Sequence, residues 1–135
     1  MTNEKSDTRT VVVEREFSHP PEKIWRALTQ PALIEDWLMQ SDFRAENGHQ
    51  FCFKTEWGEI DCRVLEIEPN RTLAYSWEAL GVETVVTWTL EPTETGTLLR
   101  MEQAGFREDQ KQAFAGARAG WASFLDKLPQ TLLRL

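Results

Sequence analysis

Tyrosine is almost missing from this 135-residue chain, with one residue against six tryptophans and seven phenylalanines. Cysteine and histidine are nearly as scarce, at two each. Two cysteines cannot make the disulfide framework of a small secreted domain, and Cys52 and Cys62 fit a reducing compartment. His49 and Cys52 offer two metal ligands, but no second pair stands at zinc spacing, so neither a metal nor another cofactor is expected. His19 and His49 fall in loops, without a serine or cysteine in a recognisable catalytic pattern. There is no glycine-rich phosphate loop. Basic residues are outnumbered 15 to 22, for a net charge of −7, which argues against a nucleic-acid binder that must neutralise phosphates. No apolar run approaches the roughly 18 residues needed to span a membrane. The polar start has no apolar signal-peptide centre. These absences point to a cytoplasmic protein with neither nucleic acid nor membrane as partner.

What is present fits one domain of ordinary composition, with 41% hydrophobic and 27% charged residues. A chain of this length buries roughly two thirds of its unfolded surface and needs no staple. The acid is concentrated: residues 41–107 carry twelve carboxylates against six basic groups. Such a middle segment is either a solvated face or a surface that steers a basic protein partner.

Residues 1–9 read as a flexible tail, and the domain as 10–135. Val11 to Phe17 is rich in β-branched residues and predicts a strand. Pro20 and Pro21 stop it, and Pro21 suits the first position of a helix carrying Ile24, Trp25 and Leu28 at helical spacing. Pro31 breaks that helix and opens a second, with Leu33, Ile34, Trp37 and Leu38 on one side. From about 48 the period becomes two, predicting strands at 49–55, 59–68, 72–79, 83–91 and 96–105. Turn signals separate them: Trp57-Gly58, Pro69-Asn70, Leu80-Gly81 and Pro92 to Gly96.

Two-residue turns at Trp57-Gly58 and Pro69-Asn70 would set Phe53 opposite Cys62, Phe51 opposite Val64, Val64 opposite Tyr75 and Cys62 opposite Trp77. A loop centred between Glu94 and Thr95 sets Trp88 opposite Met101 and Val86 opposite Gln103. All these pairings gather the bulky residues on one face, while Lys54, Asp61, Arg63, Glu78, Arg100 and Glu102 take the other, with Lys54 opposite Asp61. Cys52 then points outward and Cys62 inward, so they cannot bond to each other. Residues 108–128 predict a long helix through Phe114, Ala117, Trp121, Phe124, Leu125 and Leu128, with Pro129 ending or kinking it. Gly116 and Gly120 inside it signal either close backbone approach or room left for something.

A curved antiparallel sheet with one apolar face needs a cover, and that helix is the only element long enough. The expected class is α+β: a six-stranded sheet gripping a long C-terminal helix, with two short helices after the first strand. This is the order of the helix-grip, or START-like (SRPBCC), fold. Local motifs agree in order: Arg15 and Phe17 leading into Pro20 to Thr29, Pro31 to Leu38, Val64 to Trp77 through Pro69, Gly96 running into Gln103 to Phe106, and Gly120-Trp121. Together they resemble the family of activator of heat-shock protein 90 ATPase homologue 1-like proteins. The resemblance implies a cavity between sheet and helix. Relatives in the superfamily bind lipids, sterols, polyketides or hormones, and a few are cyclases. The family often shows a histidine where this chain has the non-ionisable Gln103.

Within such a cavity the inner-face polar residues Arg15, Thr55, Cys62, Tyr75 and Gln103 would meet walls of Trp25, Phe53, Trp77, Trp88, Met101 and Trp121, the apolar pocket with few polar groups that small-molecule sites show. Arg15, sharing parity with Val13 and Phe17, would pair a ligand carboxylate bidentately. Its alternative is to snorkel to the rim or stack on a tryptophan. The leading expectation is a non-enzymatic binder of a small hydrophobic molecule. The alternatives are a co-chaperone-like interaction module using the acidic sheet face, and a cyclase- or dehydratase-like enzyme with Tyr75 as acid.

Overall fold

The computed structural model describes residues 8–135. Strand β1 (Thr8–Phe17) is followed by helices α1 (Pro21–Thr29) and α2 (Pro31–Trp37), then by β2 (Gln40–Ser41), β3 (Gln50–Thr55), β4 (Gly58–Glu68), β5 (Thr72–Ala79), β6 (Val82–Pro92), β7 (Thr97–Arg107) and the long helix α3 (Lys111–Leu133). All strands join one antiparallel sheet in the order β1-β7-β6-β5-β4-β3-β2. The sheet has seven strands where six were predicted, because β2 is two residues long and carries no alternation to read. Thr8 and Arg9, expected in the tail, pair with Arg107 and Phe106; residues 1–7 lie outside the described residues.

Prolines at the first positions start both short helices, where a missing N–H costs nothing. Trp37 is locked under the sheet by an indole N–H bond to the Ala27 carbonyl at 2.9 Å and an edge contact with Trp88. At the other end of the sheet Gly96 is required by close approach. A β-carbon there would overlap the Phe17 carbonyl oxygen and lie 2.8 Å from the His19 amide nitrogen.

The register differs from expectation in β3 and β4. Phe53 opposes Ile60 rather than Cys62, Phe51 opposes Cys62 rather than Val64, and Lys54 opposes Glu59 rather than Asp61. The turn residues are Glu56 and Trp57, because the Thr55 hydroxyl donates to the Gly58 carbonyl (2.7 Å) and accepts from its N–H (3.1 Å). The slide is two residues, so every side chain keeps its face. The β4–β5 turn has three residues, with Asn70 at φ 66°, and a bulge between Val64 and Glu66 absorbs the extra one, leaving Val64 opposite Tyr75 as expected. Trp88 opposes Met101 and Val86 opposes Gln103, also as expected.

Helix α3 begins three residues later than predicted and runs on past Pro129 to Leu133. Pro129 sits on its exposed side, while Leu125, Leu128, Thr131 and Leu132 are buried before and after it. Burial on the inner side thus holds the helix together across one missing backbone hydrogen bond. The C-terminal turn is clamped to α2: the Thr131 hydroxyl donates to Asp36 Oδ2 at 2.7 Å, and Arg134 pairs with the same oxygen.

Candidate functional site

The buried core fills the lower and middle part of the space between sheet and α3. Tyr75, Trp88, Met101, Phe53 and Cys62 are all buried there, and Trp121 meets both Trp77 (ring centres 5.2 Å) and Trp88 (5.5 Å). Toward the end of the sheet that carries the β3–β4 and β5–β6 turns, the packing opens into a cavity of about 800 Å³. Its sheet side is Ile60, Trp77, Ala79, Val82, Gln103 and Phe106. Its helix side is Ala113, Gly116, Ala117, Gly120, Trp121 and Phe124, and Thr55, Glu56, Trp57 and Leu80 form the rim with Met39.

The helix wall explains the two glycines. Residues 113, 116, 117 and 120 fall at spacings of three and four on one stripe, and a β-carbon added to Gly116 or Gly120 would meet no atom within 4 Å. Of the two readings of these glycines, room left for something is the one the structure supports. Two apolar side chains of the rim are held out into solvent: Trp57 is 56% and Leu80 83% exposed. Leu80 and Gly81 both have positive φ (53° and 81°), the geometry of a tight two-residue hairpin turn. Glycine adopts it freely, whereas leucine is strained in it.

One polar relay crosses the cavity wall. The Trp121 indole N–H donates to Gln103 Oε1 (2.7 Å), Gln103 Nε2 donates to Thr84 Oγ1 (2.9 Å), and the Thr84 hydroxyl donates to the Trp77 carbonyl (3.1 Å). This chain ties α3 to β7, β6 and β5 and fixes the Trp121 ring against the cavity. It is neutral throughout.

The structure brings together only part of the predicted site. Trp77, Gln103, Trp121 and Thr55 line the cavity. Arg15 does not: its guanidinium reaches Asp126 of α3 at 3.3 Å and the Glu14 carbonyl at 3.2 Å, beside the half-exposed edge of β1. Arg15 thus lies at the seam between β1 and α3, apart from the residues that line the cavity. Tyr75 is fully enclosed among Phe43, Phe51 and Phe53, and its hydroxyl accepts the Trp88 indole N–H at 3.0 Å. Burial pushes its pKa up, so it stays a phenol and lies away from the cavity. Phe53 and Trp88 back the wall through contacts with Trp77 and Trp121, Cys62 and Met101 are buried in the core, and Trp25 packs against that core; none of the five lines the cavity. Sequence reading missed Glu56, Trp57, Ile60, Phe106 and the small stripe of α3. The glycine pair was the available signal for the last.

Both cysteines are free, Cys62 buried and Cys52 partly exposed. Burial raises the pKa of each thiol; nearby carboxylates, Glu59 and Asp61 foremost, add to it at Cys52. The Cys52, Glu59 and Asp61 donor atoms lie within 4.8 Å of one another on the outer face. His49 is not with them: its Nε2–H donates to the Asp42 carbonyl at 3.2 Å. No helix among the described residues is long and apolar enough to cross a membrane.

The family described as Activator of Hsp90 ATPase homolog 1-like protein matches residues 18–133, nearly the whole domain. The chain belongs to this family. No curated protein matches it. Among solved structures, MLL2253 from Mesorhizobium loti is 56% identical, with 93% of this chain and 98% of that chain covered and a TM-score of 0.91. CalU16 from Micromonospora echinospora is 26% identical over 93% of this chain and 76% of its own, with a TM-score of 0.82. DynU16, a putative protein in the dynemicin biosynthetic locus, is 25% identical over 91% of this chain and 46% of its own, with a TM-score of 0.82. The sheet, the long helix and the two short helices are those of the helix-grip fold, which the family shares with ligand-binding and polyketide cyclase-like proteins.

Proposed function

We propose that this chain is a non-enzymatic cytoplasmic member of the Activator of Hsp90 ATPase homolog 1-like family that binds a small hydrophobic molecule between sheet and α3. The observation that carries this reading is the cavity of about 800 Å³ whose helix wall includes the small-residue stripe Ala113, Gly116, Ala117 and Gly120. That volume lies within the range of small-molecule sites, roughly 300–1,000 Å³. Leaving it costs stability twice, through helix propensity and through lost packing, a cost that occupancy by a guest offsets. Against catalysis stand the neutral Gln103, the enclosed Tyr75, and a lining with Glu56 as its single ionisable group among the described residues. General acid–base chemistry needs a group within hydrogen-bond reach of the reacting atom.

The test is titration with the uncharged fluorophore N-phenyl-1-naphthylamine, followed by its emission and by amide and indole NMR shifts. Binding moves the Gly116, Gly120, Trp77 and Trp121 signals together. Shifts confined to Lys54, Arg63 and Arg100 on the outer face, or no binding, refute the reading.

A specific observation favours one second reading, a protein-interaction module. Asp61, Glu78 and Glu83 stand directly opposite one another across β4, β5 and β6. Like charges in direct cross-strand opposition are destabilising, and a basic protein surface docked there would relieve them. That reading expects an association lost at high salt which leaves the Trp77 and Trp121 indole signals unmoved.

A further inference from the structure

We infer that the guest of the cavity is an apolar organic cation, a hydrophobic body bearing an ammonium-type head that sits at the rim beside Glu56. This rests on reading the cavity as a ligand site, and it names the class of ligand. Three observations carry it. First, the group expected to receive a carboxylate is elsewhere: Arg15 is tied to Asp126, and no basic side chain lines the cavity among the described residues. A carboxylate brought in would lose hydration without gaining a counter-charge. Second, the one charged lining residue is an acid, Glu56, at the tip of the β3–β4 turn. Behind it the same end of the sheet carries the cross-strand row Asp61, Glu78 and Glu83. That row lies on the outer face, and Arg107 and Lys111 balance Glu108 and Asp109 beside the mouth, so the preference for a cation over an acid at the mouth rests on Glu56. Third, three aromatic rings, Trp77, Trp121 and Phe124, belong to the lining and stand at steep angles to each other. Trp77 and Trp121 are tilted by 54° and Trp121 and Phe124 by 66°, with centres 5.2 and 6.0 Å apart. Rings set at such angles cannot cover one another's faces fully, and a free face attracts a cation through its negative quadrupole. Lys127 already seats its ammonium 5.6 Å from the Phe124 ring centre. The polar groups within, Gln103 and Thr55, are engaged with protein partners and leave the interior to the apolar body.

Three probes sharing a 2-naphthylethyl body decide it: a trimethylammonium, its uncharged tert-butyl isostere, and a carboxylate. Affinities are read by tryptophan fluorescence and calorimetry on the full chain. The ammonium should bind about five- to tenfold more tightly than the neutral isostere, and the carboxylate more weakly than both. Glu56→Gln should shrink the difference between ammonium and isostere by at least half, leaving the part that the rings supply. Glu91→Gln, which removes the same charge at the opposite end of β6, should leave that difference intact. Equal affinity for ammonium and isostere, or tightest binding of the carboxylate (the result if Lys127 turned its head inward), overturns the cation inference while the hydrophobic-ligand reading stands. No binding of any probe overturns both.

Discussion

Two methyl groups test the emptiness of the α3 wall. At Gly116 and Gly120 a new β-carbon meets no atom within 4 Å, and both residues lie inside a regular helix. Each Gly→Ala change should therefore return the helix-propensity difference, about 0.8–1.0 kcal/mol, with no steric charge against it. The sites act on the same wall without touching, so the double variant gains about 1.5–2 kcal/mol. For a domain of this size that raises Tm by roughly 5–7 °C. Gly120→Leu sharpens the argument. If α3 packed its backbone against the sheet, leucine would push the helix out and destabilise by about 1–3 kcal/mol. With open space in front of it, leucine should hold or raise the melting point and bury part of its side chain in the cavity, lowering affinity for a hydrophobic probe at least about tenfold. Urea and thermal melts read the first effect, and probe fluorescence reads the second. A melting point that falls in both the alanine pair and the leucine variant would refute the cavity, since only close contact at these positions could produce it.

Other outcomes follow from single contacts. Gln103→Leu strands the Trp121 indole N–H in a buried setting, while the Thr84 hydroxyl keeps the Trp77 carbonyl, at about 1–3 kcal/mol in a denaturant melt, and the Trp121 indole resonance should shift. Gly96→Ala drives a β-carbon into the Phe17 carbonyl and should cost more than about 2 kcal/mol, with exchange of the amides around His19 accelerated. The Thr131 hydrogen bond and, after it, the Arg134 hydrogen bond and charge hold the Asp36 carboxyl below its ordinary pKa, burial opposing them. A lowered folded pKa means a stability contribution complete above the unfolded value of about 3.9 and lost as pH falls through the folded one. The stability advantage of wild type over Asp36→Asn should accordingly be constant near neutrality and shrink below about pH 4, measured by paired melts.

Several features were legible because they are local. Prolines 20, 21 and 31 mark the helix starts wherever the rest of the chain goes. Alternation across 49–105 sorts residues between two faces, and a two-residue error in the β3–β4 pairing left that sorting intact. Helix α3 shows where locality stops. Pro129 is a local stop signal, and buried Thr131 and Leu132 beyond it, with the Asp36 clamp, override it.

The composition, the strand parity and the order of elements were thus set by neighbours a few residues apart, and they suffice for the family and the inner face. What the tertiary structure alone decided is which inner-face residues meet a cavity. Arg15 has the parity of a cavity residue, yet its partner Asp126 lies 111 residues away in sequence, and no periodicity encodes that meeting. Tyr75 and Trp77 share a strand face two residues apart; one is enclosed by phenylalanines and the other borders open space, because α3 presents buried Leu125 and Leu128 along part of its length and glycine along the rest. Side-chain direction is a property of the local backbone. Emptiness is a property of everything that packs around it, and only the folded chain has that.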